Sequence, residues 1–338
     1  MSDHKRVISF LHPPHFISYA AVGGKEEGEG PFGHLYDHID KTGDFGQKSF
    51  ENAEGEMQRI CLSLALKKGN LSEQELSLLV AGDLQNQCVA SALGLYSFGL
   101  PYLGLYGACS TCAEGLLCLS LALSHGPLLQ GAAVTSSHNA AAERQFRLPL
   151  EYGGQRTPSA AWTATAAGAF VLGQKGKIKI TEGIVGRLID GAITDASNMG
   201  AAMAPAAADS ILAYLKDGAY PLSEIDLVIT GDLGRTGSKL LLQLLAEEGV
   251  LLDDKHRDCG SLIYDPKYSD SHSGGSGCGC SASLLACHFL PSLERGDIHR
   301  ILFFSTGALM SPQSTLQKNN IFGIAHGVLI ERSENTCS

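Results

Sequence analysis

A chain of 338 residues with 44% hydrophobic and 18% charged side chains is long enough to bury a large core, as two domains or one duplicated unit, and too apolar for intrinsic disorder. Its 25 basic and 35 acidic side chains leave a net charge of −10, which excludes a broad nucleic-acid footprint and any general attraction to anionic lipid headgroups. Ten cysteines are too few for a disulfide scaffold at this length, and 40 glycines point instead to tight turns and close backbone contacts.

The N-terminus has basic residues but no long apolar stretch before Pro13-Pro14, so it does not read as a secretory signal. A first strand is predicted at Arg6–Phe10. Residues 23–56, with Glu26-Glu-Gly-Glu-Gly30 and Asp37 to Asp44, read as a long loop or lid, and His12, His15, His34 and His38 as surface residues. Asn70-Leu-Ser72 fits a glycosylation triplet, accidental without a signal sequence. Residues 78–84, Leu-Leu-Val-Ala-Gly-Asp-Leu, form a short apolar run ending in Gly-Asp, the pattern of a buried strand and a turn.

A strand at Tyr102–Tyr106 then leads into Gly107-Ala-Cys-Ser-Thr-Cys-Ala-Glu-Gly115 and a small-residue helix starting near Ser110. Gly115–Val134 is as long as a membrane span, but His125-Gly-Pro127 breaks it, so it reads as a buried helix followed by a buried strand at Gly131–Val134.

The second part of the chain repeats this order. A strand is predicted at Lys177–Ile180, and residues 227–233 read Leu-Val-Ile-Thr-Gly-Asp-Leu. Both Gly-Asp runs follow a Leu-Ser pair (Leu71-Ser72 and Leu222-Ser223) with acidic residues behind it, a cap for a short helix. After a polar excursion at Gly249–Ser276, the run Ser-Gly-Cys-Gly-Cys-Ser-Ala-Ser-Leu-Leu-Ala-Cys ends at 287. Cys278 and Cys287 stand nine apart, as do Cys109 and Cys118, and a strand follows at Ile301–Phe304. Two pairs of matching segments in the same order predict two duplicated α/β halves, residues 1–174 carrying Cys109 and 175–338 carrying Asp232 and Cys278.

Cys109, between a strand and a helix start, has the strongest chemical potential. A helix N-terminus favours a thiolate or a bound anion. Three other readings are weaker. Cys109-x-x-Cys112 with Cys278-x-Cys280 makes poor spacing for a four-thiolate zinc site, the Cys-x-x-Cys pair lacks a thioredoxin-like context, and Gly231-Asp-Leu-Gly-Arg-Thr-Gly237 lacks the ending of a phosphate loop.

The Gly107–Gly115 segment resembles the nucleophile segment of thiolases and β-ketoacyl synthases. Thr163–Leu172 resembles the strand that closes their first half, Ile225–Asp232 the strand leading to the synthases' catalytic histidine, and Gly277–Ser283 the segment with their catalytic asparagine or, in thiolases, a histidine. Ser305-Thr-Gly-Ala-Leu309 resembles the closing glycine-rich loop. The resemblance implies a thiolase-like α/β fold whose halves form a five-layered αβαβα arrangement. The departures matter: Asp232 stands where the synthases have histidine and Cys278 where they have asparagine. An ionised aspartate cannot donate and raises the pKa of a neighbouring thiol, while a thiol is a weak donor. Ordinary condensation is therefore not expected, although a thiolase- or synthase-type acyltransferase with Cys109 as nucleophile is the alternative. A scaffold with a vestigial pocket is a third reading.

Leu105–Gly115, Ser136–Arg147, Thr230–Ser238 and Ser273–Cys280 bring the chain closest to the thiolase-like spore proteins that handle dipicolinic acid. That resemblance implies a non-enzymatic binder of dipicolinate, free or as its calcium chelate, without cofactor, for uptake into or release from the spore. It also implies a place at the cytoplasmic side of the developing spore, peripheral to the inner membrane beside spore membrane proteins, and a homodimer formed through the N-terminal halves. A flat dianion asks for paired donors. The candidates are Cys109 and Ser110 at the helix start, Gly277 and Cys278 in the glycine-rich turn, and His138, Arg144, Arg147 and Arg235, with Asp232 a contact to ligand-borne calcium.

Overall fold

The computed structural model describes residues 5–146, 157–265 and 271–333. Apolar or small residues at every position of a strand mean burial on both faces. Leu78–Gly82, Gly131–Ser137 and Ala166–Gly173 are buried throughout.

The first half contains β1 (His15–Gly23), α1 (Phe50–Gly69), β2 (Leu78–Gly82), α2 (Val89–Leu95), β3 (Tyr102–Leu105), α3 (Thr111–His125), β4 (Gly131–Ser137), α4 (Asn139–Phe146) and β5 (Ala166–Gly173). The second contains β6 (Ile178–Ile184), α5 (Met199–Asp217), β7 (Leu227–Thr230), α6 (Gly234–Glu247), β8 (His256–Asp258), α7 (Cys259–Ile263), α8 (Cys278–Leu284), β9 (Arg300–Leu309) and β10 (Phe322–Arg332). The strand order is β3-β2-β4-β5-β1 in one half and β8-β7-β9-β10-β6 in the other. In each, the second strand pairs in parallel with both neighbours, β2 with β3 and β4, β7 with β8 and β9, before the order turns antiparallel. The sets touch where His15 of β1 pairs with Lys179 of β6.

Alternation along the strands sorts side chains into layers. Leu79, Ala81, Ala132, Val134 and Val171 pack outward against Ala53, Met57, Cys61 and Leu62 of α1, while Leu78, Val80, Ala133, Phe170 and Leu172 face the interior. Likewise Val228, Leu302, Phe304 and Leu329 meet Ala202–Ile211 of α5, and Ile229, Ile301, Phe303 and Val328 face inward. Helices α3 and α8 fill the middle, α3 touching β2 and β4 on one side and β9 and β10 on the other. The result is five layers, αβαβα. The apolar segment Ala108–His125 has the length and mean hydropathy, 1.2, of a membrane span. Here it is this central helix, with Leu116, Leu117 and Leu119 in the core.

Several expectations shift. The segment at Arg6–Phe10 forms only a short strand, Val7–Ser9, and pairs with β6 of the second half; the first half's own opening strand is β1, whose small residues are buried on both faces. The supposed loop 23–56 holds a short helix at Lys25–Glu29 and the start of α1, capped by Ser49, whose Oγ accepts from the Asn52 N–H at 3.3 Å. Gly249–Ser276 includes β8 and α7. Ser72 caps a single 3-10 turn, Glu73–Glu75, but Ser223 lies inside its turn, Leu222–Glu224, which follows Pro221.

Candidate functional site

Cys278 begins α8, and Cys109 sits in the 3-10 turn Ala108–Ser110 that leads into α3; in each case the preceding residue is left-handed, Ala108 with φ +53° and Gly277 with φ +94°. A side chain at Gly277 would put its Cβ 2.6 Å from Ser137 Oγ, so both space and φ call for glycine. Ahead of α3, Ser110 Oγ donates to Gly107 O at 2.6 Å and Thr111 Oγ1 to Ala108 O at 2.7 Å, which pins the turn carrying Cys109. Cys109 and Cys278 fall in one buried apolar cluster with Leu84 and Ala142, and Phe146 packs against it.

Asp232 follows β7 and is 2% exposed. Its Oδ2 accepts from the Gly277 N–H at 2.8 Å and its Oδ1 from Thr306 Oγ1 at 2.9 Å, and the Cys109 thiol lies beside it. Burial pushes this carboxyl up to about 7 against those bonds. Burial, followed by the Asp232 charge, holds the Cys109 thiol well above its ordinary range. The arrangement therefore opposes formation of the thiolate, the form that attacks a thioester. The Cys278 thiol donates to Ser136 O at 2.9 Å, and burial keeps it protonated too.

Among the residues singled out in the sequence, the structure brings together Cys109, Ser110, Asp232, Gly277 and Cys278. His138 lies beside them but is engaged: Nε2 meets Gly43 O at 2.8 Å, the ring stacks on Phe50 at 5.6 Å, and burial lowers its pKa. Arg144 projects from the face of α4 opposite Ala142 and Phe146, is ion-paired with Glu51, and sits 5.7 Å over the Phe50 ring. Arg235 donates to the carbonyls of His272 at 2.7 Å and Tyr264 at 3.4 Å. Neither arginine is placed as a clamp at Cys109. Arg147 lies outside the described residues. Cys112 rests beside Ser305 and Ser281 and Cys280 Sγ is 4.0 Å from Gly231 O; among the described residues no three His, Cys, Asp or Glu side chains converge as metal ligands.

Two further residues, Thr306 and Asp258, shape the site. Thr306 belongs to the Ser305-Thr-Gly loop, which the sequence marked without indicating a role. Asp258 accepts from the N–H groups of Leu233 and Gly234, each at 2.9 Å, and from Thr230 Oγ1 at 2.7 Å, fixing the turn that carries Asp232. Asp83 is the repeat partner of Asp232, and the shared Gly-Asp-Leu run was the signal for it.

The family model described as Stage V sporulation protein AD matches residues 4–331. Stage V sporulation protein AD of Bacillus subtilis (strain 168) is 42% identical over 330 residues, covering 97% of each chain. Solved structures of similar fold include 3-oxoacyl-[acyl-carrier-protein] synthase III from Aquifex aeolicus VF5, 13% identical with a TM-score of 0.59 over 94% of this chain and 99% of that one. A Xanthomonas campestris OleA variant is 12% identical with a TM-score of 0.61, over 96% and 99%.

Proposed function

The chain belongs to the stage V sporulation protein AD family, and from that premise we propose that it is a non-catalytic binder of dipicolinic acid whose ligand occupies the former condensing-enzyme pocket at Cys109. The observation that carries this reading is the buried Asp232 carboxyl set beside the buried Cys109 thiol. Burial first, and then the carboxyl, hold the thiol protonated, so the former active site loses its nucleophile.

A flat dianion finds a small apolar wall in Leu84, Ala142 and Phe146. Asp232, which burial raises to about 7, presents less than a full charge to such a ligand at neutral pH. The calcium chelate of the ligand is the other form to be compared, with Asp232 as an oxygen contact to the ion.

The protein acts, in this reading, at the cytoplasmic side of the developing spore beside membrane proteins of the same system. It does so as a homodimer joined through β3. That strand is a sheet edge, and exposed Tyr102 and Leu103 on it, with Val89, Leu93 and Tyr96, form an apolar surface on the first half.

Calorimetric titration with dipicolinate, with and without calcium, tests the reading. Saturable binding at one site per chain is expected, together with an unmodified Cys109 after incubation with acyl-CoA thioesters. Absence of binding heat in both titrations overturns it. An acyl adduct that disappears in Cys109→Ala returns the protein to the acyltransferases.

A further inference from the structure

Behind Cys278 lies a second group of buried acids with no role in the reading above. Glu54 and Gln58 come from α1, Asp83 and Gln85 from the turn after β2, Ser91 from α2 and Ser136 from β4. Glu54, Gln58, Ser91 and Ser136 have no exposure at all, nor has Asp83. Ser136 Oγ donates to Glu54 Oε1 at 2.9 Å, and Ser91 donates to Asp83 Oδ2 through both N–H, 2.8 Å, and Oγ, 2.6 Å. Gln58 Nε2 ties the two serines together at 2.9 and 2.7 Å.

Two features of this network point to a missing hydrogen. The first is charge: among the described residues, the ionisable groups acting on the pair are Glu51 one turn earlier on α1, Cys88, Tyr102 and Tyr106 on the Asp83 side, and Cys278 on α8, and none is a cation. Two buried carboxylates with no cation among these groups do not both stay ionised. The second is bonding: Gln58 Oε1, in the middle of the network, is buried with no donor.

The acids also differ. Asp83 receives three strong donors, counting the Gln85 N–H at 2.7 Å, which suit a carboxylate. Glu54 has one hydroxyl and a long 3.5 Å contact from Gln85 Nε2, which suit an acid.

We propose that Glu54 and Asp83 form a proton-binding site, with the proton on Glu54, and that this proton is linked to anion occupancy of the Cys109–Cys278 pocket. The link runs through Ser136, whose hydroxyl bonds to Glu54 and whose carbonyl takes the Cys278 thiol. With Glu54 neutral, the wall behind Cys278 carries one negative charge less, and a dianion enters at lower electrostatic cost. Where Glu54 is ionised in the empty protein, binding of the anion draws one proton from solvent onto its carboxylate. The coupling rests on the dipicolinate reading, whereas the proton on Glu54 does not.

Two measurements separate them. Infrared difference spectra of the wild-type protein against Glu54→Gln should show a protonated-carboxyl C=O band near neutral pH that the variant lacks. Absence of that band overturns the proton site, whatever the ligand does. Dipicolinate titrations above neutral pH, in two buffers of different ionisation enthalpy, should then show proton uptake approaching one per ligand. The accompanying loss of affinity should approach tenfold per pH unit, and both effects should shrink in Glu54→Gln, where the comparison cancels any contribution of Asp232. Equal slopes in the two proteins overturn the coupling. No binding at any pH overturns the dipicolinate reading and leaves the infrared result standing.

Discussion

Cys278 and Cys109 hold equivalent places at the starts of the two central helices, yet each thiol points into the other half: Cys278 to the carbonyl of Ser136 on β4, and Cys109 to Asp232 beyond β7. Neither thiol has a basic partner, and burial first, then neighbouring negative charge, keeps both from ionising. The chemistry of the pocket is thus set across the boundary between the halves.

The Asp232 carboxyl controls the reactivity of Cys109. Replacing it in Asp232→Asn removes a charge and an acceptor from the thiol, so alkylation of Cys109 by iodoacetamide at pH 8 should speed up by about tenfold for each unit of thiol pKa recovered. Peptide mass spectrometry of timed samples reads the rate at this one cysteine. An unchanged rate would show that burial alone suppresses the thiol.

Stability should fall as pH rises from about 5 to 8. Burial raises Asp232 to about 7, and it does the same to Glu27, which also bonds to Tyr264 and accepts from the Thr165 N–H at 3.1 Å. Both acids bind protons more tightly folded than unfolded. Their contribution is complete below the ordinary carboxylate range and is lost as pH climbs through the folded value. Each changes the unfolding free energy by up to roughly 1.4 kcal/mol per pH unit inside that window. Urea midpoints across the range should flatten in Asp232→Asn and in Glu27→Gln; parallel wild-type and variant curves contradict the assignment.

Gly279 lies where α8 crosses the first sheet, and a Cβ there would stand 2.1 Å from Ala166 O and 2.8 Å from Ser137 Oγ. Both are fixed by the strands that carry them. Gly279→Ala should lower stability by about 3 kcal/mol, the upper part of the range for overpacking. A melting temperature equal to wild type would mean the helix can move away.

The edge strand offers a test of assembly. Leu103 is 50% exposed on β3, so Leu103→Lys should leave the fold intact while changing the mass in solution from two chains to one. Light scattering coupled to size exclusion gives the answer; a wild-type monomer, or a dimer indifferent to the substitution, rules out this surface.

The layers were legible because the duplicated Gly-Asp runs and the paired cysteine segments mark equivalent strands and helix starts. Asp232 and Cys278 could be placed for the same reason. The arginines were not. Residue type suggested Arg144 and Arg235 as anion clamps, but helical phase turns Arg144 away from Ala142 and Phe146, and the carbonyls of His272 and Tyr264 occupy Arg235. Asn70, dismissed as an accidental glycosylation triplet, has a local reason to be there: it ends α1 in a left-handed conformation, φ +51°, which asparagine tolerates. Glu54 and Gln58 carried no signal, because two polar residues one turn apart on a helix ordinarily face solvent.

Helix α3 has one last consequence, for folding. Its apolar surface is covered by β2 and β4 on one side and by β9 and β10 on the other, and those coverings are separated by more than 150 residues of chain. A fragment ending in the 174–177 turn would expose one flank of a helix apolar enough to pass for a membrane span. Such a fragment should aggregate or bind chaperones instead of folding alone. Translation must deliver the final two strands before the first half is safe, and the two copies, however alike, mature as a single cooperative unit.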